Sequence, residues 1–546
     1  MAKIGKNILE NLTNGMYDDS LSIFREYIQN AADSIDQAKK MQIAPDDTFE
    51  IIITLSPKKR CLTIHDNGTG IPQLEVEKRL GDVADSEKIQ GENKGFRGIG
   101  RLGGIGYCSE LRFVTSYAGE PVKTTMIWDA EKLAAIIADN QNHASADEVL
   151  QNIIRYEKAP CEVGQHFFQV ELLHISQENT QLLNKEQIQQ YLSEVAPVDF
   201  ASTFHYQKKI KIFLQQHAEE RPPLVTYPII LREEGHELTP IYKGYRNAIY
   251  KLVNGKRTRD DEVKDIQTDI IRNTNGEAIA WIWYAITMFK GVLTESVNPM
   301  RCLRLRQFNI EIGGRTTLTK QKEQGFFKED RNNNYLLGEV HAIDKHLRPN
   351  ARRDYFNESE ATSDFEYALR TYIQKNLDPL FKSASDINSG YKRLQTLQQL
   401  EENYQEKQAK GFASKNEKEK MEAKLSVATE KANEGLKNIQ KVERKATEDP
   451  KSGLAQMVKA ITKERRQSSM TKLRRQLETQ SLPHEKSPSQ KTSSKRKQAP
   501  LLVDELSHLN RNERKLVATI YDVIQANLIA EEAEALIAKI QEELKK

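Results

Sequence analysis

The sequence has few cysteines and no long apolar run. Only 4 of its 546 residues are cysteine, and no two of them form a CxxC pair. Scattered thiols fit a reducing compartment and do not give the ligand spacing of a zinc site. No run of about 18 apolar residues is present, as a membrane-spanning helix requires, and the first residues lack the apolar core of a signal peptide. We therefore expect a cytoplasmic protein without a membrane span.

The sequence also lacks an excess of charge of one sign. It contains 81 Lys and Arg residues against 78 Asp and Glu residues, which gives a formal net charge of +3. Such a balance gives no argument for nucleic-acid binding by the chain as a whole. Because 546 residues exceed what one hydrophobic core usually holds, we expect several domains.

Composition divides the chain into five segments. Residues 1–130 alternate amphipathic helix with short β-branched strands and glycine clusters, and residues 131–360 continue as α+β. Residues 361–450, rich in Gln, Glu, Lys, Ala and Leu, favour long helices or a coiled coil. Residues 451–500 hold 13 Lys or Arg against 3 Asp or Glu, and their end predicts a disordered basic linker. Residues 501–546 have helical periodicity and predict a small helical module.

Short β-branched and aromatic runs predict individual strands. "AIAWIWYAI", residues 278–286, has the composition of a buried strand. Other predicted strands are "FEIIITL" (49–55), "CLTIHD" (61–66), "LRFVTS" (111–116), "HFFQVELL" (166–173) and "KIKIFL" (209–214).

The stretch "FREYIQNAADSID", residues 24–36, places three polar side chains on one face of a predicted helix. Glu26, Asn30 and Asp33 are separated by four and three residues, offsets that stack side chains on an α-helix. Apolar residues of the stretch can cover the other face. The polar face contacts either water, as in most surface helices, or a ligand. The stretch alone leaves both interpretations open.

Two glycine-containing motifs follow this helix. In "IHDNGTGIP", residues 64–72, a strand ends at Asp66, and Gly68 and Gly70 come directly after it. This carboxylate suits an adenine amino group, although an ordinary D-N-G turn is the other interpretation. In "GENKGFRGIGRLGGIGY", residues 91–107, closely spaced glycines offer backbone N–H groups to phosphate oxygens. No GxxxxGK[ST] sequence is present, so this is not a Walker A loop.

The order and spacing of the three motifs resemble the GHKL ATPase superfamily, which includes DNA gyrase, heat-shock-90-type chaperones, histidine kinases and MutL. "REYIQNAADSID" is similar to the first motif of the chaperones, "DNGTGI" to the adenine-binding box, and "GFRGIG" to the phosphate lid of MutL. The resemblance covers residues 6–130 and implies an α+β chain. Such a chain would have a Bergerat-fold ATPase domain, with helices on a mixed sheet, an α/β transducer-like middle domain and a helical or coiled-coil C-terminal region.

The resemblance also implies roles for individual residues. Glu26 would be the general base that polarises the attacking water. Asn30 would ligate Mg²⁺ through its amide oxygen, and the nucleotide would be ATP. The other residues implied to bind nucleotide are Asp33, Asp66, Gly68, Gly70, Lys88, Gly98, Gly100, Gly103 and Thr115.

A basic residue of the second domain would contact the γ-phosphate. "VHAIDKHLRPNARRDYF", residues 340–356, resembles the chaperone loop that carries this residue. Arg353 is the preferred candidate, Arg348 and Arg352 are alternatives, and a basic surface loop is the other interpretation. A second basic strand, "MRCLRLRQFNIEIG", residues 300–313, is either structural or part of the domain interface.

Two functions follow from the resemblance and from the charge distribution. The first is an ATP-hydrolysing clamp, most like a heat-shock-90-type chaperone, that acts as a homodimer on a protein client or partner subunit. The alternative is a MutL- or MORC-like ATPase that acts on nucleic acid in genome maintenance or anti-phage defence. In that case DNA would be contacted through residues 451–500, whose net charge is +10.

Overall fold

The chain forms two compact units. The computed structural model describes residues 5–13, 19–82, 94, 100–319, 325–465, 506, 509–528 and 530–545. The first unit comprises residues 1–287 and 291–378. The second unit comprises residues 288–290 and 379–546. All described strands lie in the first unit, and the second contains long helices. The predicted α+β class, a large mixed sheet followed by long C-terminal helices, is confirmed.

A first sheet of eight strands begins the first unit. Its strands are β1 (Ile51–Ser56), β2 (Cys61–Asp66), β3 (Glu110–Ser116), β4 (Val122–Asp129), β5 (Ile154–Pro160), β6 (Phe167–Leu173), β7 (Ile229–Glu233) and β8 (Thr239–Pro240). They lie in the order β5-β4-β3-β6-β2-β1-β7-β8. All neighbours are antiparallel except the parallel pair β1 and β7. Four of these strands come after residue 130, the position that the sequence analysis used as a domain boundary.

Helices accompany this sheet in the chain. They are α1 (Asn7–Thr13), α2 (Ser22–Lys40), α3 (Val76–Gly81), α4 (Ala130–Ala138), α5 (Ala146–Ile153), α6 (Lys185–Val195) and α7 (Gln207–Gln216). The run "KIKIFL" was predicted as a strand, and this was wrong because it lies inside α7. Ile210, Phe213 and Leu214 are its buried residues, and their spacing of three and four places them on one helical face.

Helix α2 packs its apolar stripe against the first sheet. Phe24, Ile28 and Ile35 are buried in one hydrophobic core with Ile53 of β1 and Leu62 of β2. The apolar positions recur every three or four residues, as an amphipathic helix requires. Four polar side chains of α2 are buried as well, namely Arg25, Glu26, Gln29 and Asp33. These side chains therefore contact protein, and most of the polar face of α2 does not face water.

A two-stranded ribbon and a second sheet complete the strands of the first unit. The ribbon consists of β9 (Ala248–Val253) and β10 (Lys256–Glu262). The sheet consists of β11 (Asp265–Arg272), β12 (Ala278–Ile286), β13 (Cys302–Gln307), β14 (Ile310–Glu311) and β15 (Leu337–Ala342). Its order is β11-β12-β15-β13-β14, with β13 and β15 parallel. Helix α8 (Glu360–Tyr372) follows.

Charged side chains are buried in the second sheet. Glu339 of β15 accepts hydrogen bonds from Lys243 Nζ at 2.8 Å and from Trp283 Nε1 at 3.1 Å, and Arg306 Nε lies 2.5 Å from its Oε1. Burial alone raises the pKa of Glu339, but Arg306 and Lys243 outweigh it and hold this pKa well below its usual range. The carboxylate thus joins β12, β13 and β15, because each of its partners comes from a different element.

The basic strand that the sequence analysis left open is structural. Arg304 on β13 donates hydrogen bonds to Glu194 of α6 at 2.9 Å and to Glu311 of β14 at 2.7 Å. Arg306 donates to the carbonyl of Glu194 at 2.5 Å. Both guanidinium groups are buried and have acidic partners, so they connect α6 to the second sheet.

The second unit is helical in the residues that the structure describes. Its helices are α9 (Asp378–Lys410), α10 (Lys415–Glu448), α11 (Gly453–Arg465), α12 (Arg511–Asn527) and α13 (Ala530–Leu544). Helices α9 and α10 come close at two glycines, since a Cβ on Gly390 would lie 2.9 Å from the carbonyl oxygen of Gly435. The part of the predicted basic linker from 466 to 500 lies outside the described residues. None of the described helices is long and apolar enough to span a membrane.

Candidate functional site

Glu26 on α2 contacts two guanidinium groups. Its Oε1 lies 3.3 Å from Arg353 Nε and 3.6 Å from Arg25 Nε. The side chains of Glu26 and Arg353 are only 9% and 11% exposed. Water therefore screens this ion pair much less than it screens a pair on the surface. Two residues that are distant in the sequence, and that the motifs singled out separately, are thus neighbours in the fold.

Arg353 reaches α2 from the loop that follows β15. Its backbone has a φ of +54°, a left-handed conformation that is uncommon for a residue other than glycine. Its carbonyl accepts a hydrogen bond from Gly313 N at 2.6 Å. The alternatives Arg348 and Arg352 are exposed, whereas Arg353 is buried. The loop therefore directs this one guanidinium, of the three considered, toward Glu26.

A second contact joins the same helix and the same loop. Arg25 Nη2 donates a hydrogen bond to the carbonyl of Arg352 at 3.0 Å. Arg25 is not among the residues predicted from the sequence, although its position next to Glu26 was a usable signal. Arg25 and Arg353 together place two positive charges beside one buried carboxylate.

Lys94 is the other residue of the site that the sequence analysis missed. Its backbone N–H donates to Asp33 Oδ1 at 2.9 Å, and its Nζ lies 2.5 Å from Asp36 Oδ2. Its carbonyl accepts a hydrogen bond from Arg353 Nη2 at 2.7 Å. Asp33, a predicted pocket residue, is thus bound to the glycine-rich segment in this structure. A lysine inside "GENKGF" was the signal that could have identified it.

The predicted lid residues lie partly outside the described residues. This holds for Lys88 and Gly98. Gly100 begins a 3₁₀ helix, Gly100–Tyr107, and a Cβ on it would lie 2.3 Å from Glu26 Oε2. Gly103 is buried in the same helix. The end of the glycine-rich segment is therefore packed directly against the predicted general base.

Asp66 lies at the end of β2 and is 2% exposed. Its Oδ1 accepts a hydrogen bond from Gly68 N at 3.0 Å. A Cβ on Gly68 would lie 2.2 Å from Ser34 Oγ of α2, so only glycine lets this turn come so close to the helix. The turn after β2 and helix α2 are therefore adjacent.

Gly70 and Thr115 hold the end of this turn. Gly70 has a φ of +65°, and a Cβ there would lie 1.9 Å from the carbonyl oxygen of Ser116. Thr115 Oγ1 accepts a hydrogen bond from Ile71 N at 2.9 Å and donates one to the carbonyl of Phe167 at 3.0 Å. These contacts give Thr115 a structural role in this turn, because both bonds of its hydroxyl are made to backbone atoms.

The donor chemistry of α2 fits a bound Mg²⁺ ion. Asn30 lies one turn after Glu26 and is half-buried. Its amide oxygen is a hard donor of the kind that Mg²⁺ prefers. The neighbouring Gln29 is buried, and its amide nitrogen and oxygen have no hydrogen-bond partner among the described residues. Such a group costs free energy until a partner satisfies it.

The motifs and the sheet agree with a known domain family. The family model described as "Histidine kinase-, DNA gyrase B-, and HSP90-like ATPase" matches residues 21–157. This segment contains α2, Asp66 and the 3₁₀ helix Gly100–Tyr107. The chain therefore carries a GHKL-type ATPase domain, as the resemblance of the motifs implied.

Relatives of this region are proteins named chaperone protein HtpG. The protein from Shewanella denitrificans is 27% identical over 145 residues, which is 23% of this chain and 23% of that protein. The one from Halalkalibacterium halodurans is 32% identical over 114 residues, or 19% and 18% of the two chains. The one from Yersinia pestis is 28% identical over 144 residues, or 23% of each. The chain thus spans less than a quarter of the length of each of these relatives.

We predict that Asp66→Asn weakens ATP binding by about tenfold or more. Asparagine keeps the shape of the side chain and the hydrogen bond from Gly68 N. It replaces the charged acceptor proposed for the adenine amino group by a neutral amide. Hydrogen bonds to charged groups are worth about 1.5–3 kcal/mol. Isothermal titration calorimetry with ATP measures the change. The matched control is Asp47→Asn, which removes an exposed carboxylate. Equal affinity of wild type and Asp66→Asn would remove Asp66 from the nucleotide site.

Proposed function

We propose that the chain is an ATP-hydrolysing conformational clamp of the GHKL type. The observation that carries this proposal is the ion pair between Glu26 of α2 and Arg353 of the loop after β15. A general base and a phosphate-binding guanidinium must both reach the γ-phosphate, and here they meet at one point. The family match to residues 21–157 supports the nucleotide part of the proposal.

The proposed chemistry uses residues of α2, the end of β2, the glycine-rich segment and the loop after β15. Asp66 accepts a hydrogen bond from the adenine, and the N–H groups of the glycine-rich segment bind phosphate oxygens. Asn30 holds Mg²⁺, which offsets the negative charge of the phosphates. Glu26 orients the attacking water and accepts its proton. Arg353 binds oxygens of the γ-phosphate and stabilises the charge that develops in the transition state.

The proposed switch is an exchange of partners by Arg353. In the structure its guanidinium contacts Glu26 Oε1 and the carbonyl of Lys94. A γ-phosphate offers it a more highly charged partner, and the exchange leaves the Glu26 carboxylate available to water. ATP and ADP then make different contacts with the loop, which is what a nucleotide-driven equilibrium between two states requires.

The partner of the clamp has two candidates. The relatives named chaperone protein HtpG support the chaperone-like candidate. In this candidate the clamp is a cytoplasmic homodimer that acts on a protein client. The alternative, a MutL- or MORC-like ATPase that acts on nucleic acid, is supported by the 13 basic against 3 acidic residues of segment 451–500. We propose the chaperone-like clamp as the first candidate.

We predict that Glu26→Ala retains ATP binding and lowers turnover by about 100-fold or more, since a general base contributes about that much. Calorimetry measures binding, and phosphate release measures turnover. Glu26→Gln is the matched variant, because it keeps the shape of the side chain and loses the base. Unchanged phosphate release, or loss of nucleotide binding in both variants, would contradict the role of Glu26.

We predict that Arg353→Ala lowers turnover by about 100-fold, while its affinity for ADP stays within a factor of about two, because the guanidinium acts on the γ-phosphate. The matched control is Arg352→Ala, which removes the exposed neighbour. Faster turnover in Arg353→Ala would show that Arg353 only restrains Glu26. Normal turnover would move the role to another residue.

We predict that an unfolded protein raises the rate of ATP hydrolysis and that duplex DNA leaves it unchanged. The client of a clamp shifts its conformational equilibrium, and only a ligand that binds the two states differently can do so. Phosphate release is measured with each additive at equal mass concentration. Stimulation by DNA alone would replace the chaperone-like clamp with the nucleic-acid candidate.

A further inference from the structure

The ribbon of β9 and β10 projects from the first unit. Among the described strands, β9 and β10 pair only with each other. They are joined by Asn254 and Gly255, whose φ angles of 51° and 75° are those of a tight type I′ turn. The ribbon has no place in the site described above, and neither the family match nor the relatives assign it a role.

The base of the ribbon is fixed and its end is exposed. Ile249 is buried in a hydrophobic core, and the amide of Asn298 bonds both the N–H and the carbonyl of Tyr250, at 3.0 Å and 2.7 Å. Every residue from 251 to 259 is exposed. At about 3.4 Å per residue, the three exposed residue pairs extend about 10 Å, and the turn adds to this length.

The exposed part of the ribbon is basic. It contains Lys251, Lys256, Arg257 and Arg259 and no acidic residue. Lys251 pairs with Asp260 at 2.6 Å, and Arg259 pairs with Glu262, both at the base. Lys256 and Arg257 make no ion pair within the described part of the chain. The guanidinium of Arg257 lies 3.6 Å from the centroid of the Tyr250 ring, which holds it in one orientation.

Both faces of the ribbon carry the same combination of side chains. Arg257 lies opposite Leu252, and Lys256 lies opposite Val253. Residues directly opposite each other in an antiparallel pair share a face. Each face therefore presents two cations, of which one has no ion pair, beside one exposed aliphatic side chain. No described residue covers either face, since residues 251–259 are all exposed.

These features fit duplex DNA. The major groove is about 12 Å wide and about 8.5 Å deep, and it admits a two-stranded β-ribbon. Phosphates line both walls of the groove, so a ribbon with a cation on each face can contact both of them. Aliphatic side chains at its end can contact thymine methyl groups.

We propose that the β9–β10 ribbon binds in the major groove of duplex DNA, with Lys256 and Arg257 contacting phosphates. None of the ribbon residues belongs to the proposed nucleotide site. The ribbon adds an observation in favour of the nucleic-acid candidate, and it lies outside the basic segment 451–500.

The test compares full-length Lys256→Gln/Arg257→Gln with wild type on a fluorescent mixed-sequence duplex. Anisotropy titrations at several salt concentrations between about 50 and about 200 mM give the affinity and its salt dependence. Each phosphate contact contributes about 0.9 to the slope of log K against log salt, so we expect the double variant to lose about two units of slope. We also expect its affinity at the lowest salt to fall by about tenfold.

The matched control is Lys58→Gln/Lys208→Gln, which removes two exposed lysines from other parts of the first unit. Its slope should stay within about half a unit of wild type. Equal slopes for the two double variants, or no binding of the duplex by wild type at low salt, would overturn the proposal. So would a ribbon variant that keeps DNA binding and loses binding to vesicles of anionic lipid. Phosphate release of the ribbon variant should equal that of wild type, which separates this test from the test of the ATPase.

Discussion

The ion pair between Glu26 and Arg353 is the contact on which the proposed mechanism depends. It joins a helix of the first sheet to a loop of the second sheet, and it is almost completely shielded from water. A buried carboxylate needs such partners, because leaving one charge of a buried pair without the other costs about 3–5 kcal/mol. The proposed nucleotide site and the second sheet are therefore in direct contact through this ion pair.

The position of Arg353 depends on the charged residues of the second sheet. Strand β15 leads into the Arg353 loop, and Glu339 of that strand is bound by Lys243, Trp283 and Arg306. Arg306 also donates to the carbonyl of Glu194 on α6, which packs in the core of the first sheet. Charged groups thus connect the first sheet to strand β15, which leads into the loop, by a second set of contacts.

Glycine determines how closely the parts of the proposed nucleotide site can approach. At Gly68 and Gly100 a side chain would collide with Ser34 and Glu26 of α2, and at Gly70 it would collide with the backbone of β3. The three glycines belong to two different motifs. Two of them lie against helix α2, and the third lies against strand β3. The glycines therefore explain both the motif pattern in the sequence and the compactness of the site.

The sequence alone determined the local elements and the identity of the domain. The period of α2, the strand ending at Asp66, the buried strand 278–286 and the glycine spacing are local patterns, and each of them follows from short-range geometry. The strand prediction for "KIKIFL" was wrong. Its alternating residues suggested a strand, whereas its buried residues have the spacing of three and four that is typical of a helix, and the run lies in α7. Only the tertiary structure decided that Arg353 contacts Glu26, that Lys94 and Arg25 join them, and that Arg304 and Arg306 are buried. The physical reason is that a charge pattern shows which side chains need a partner, whereas the partner is set by which distant segments the fold brings together.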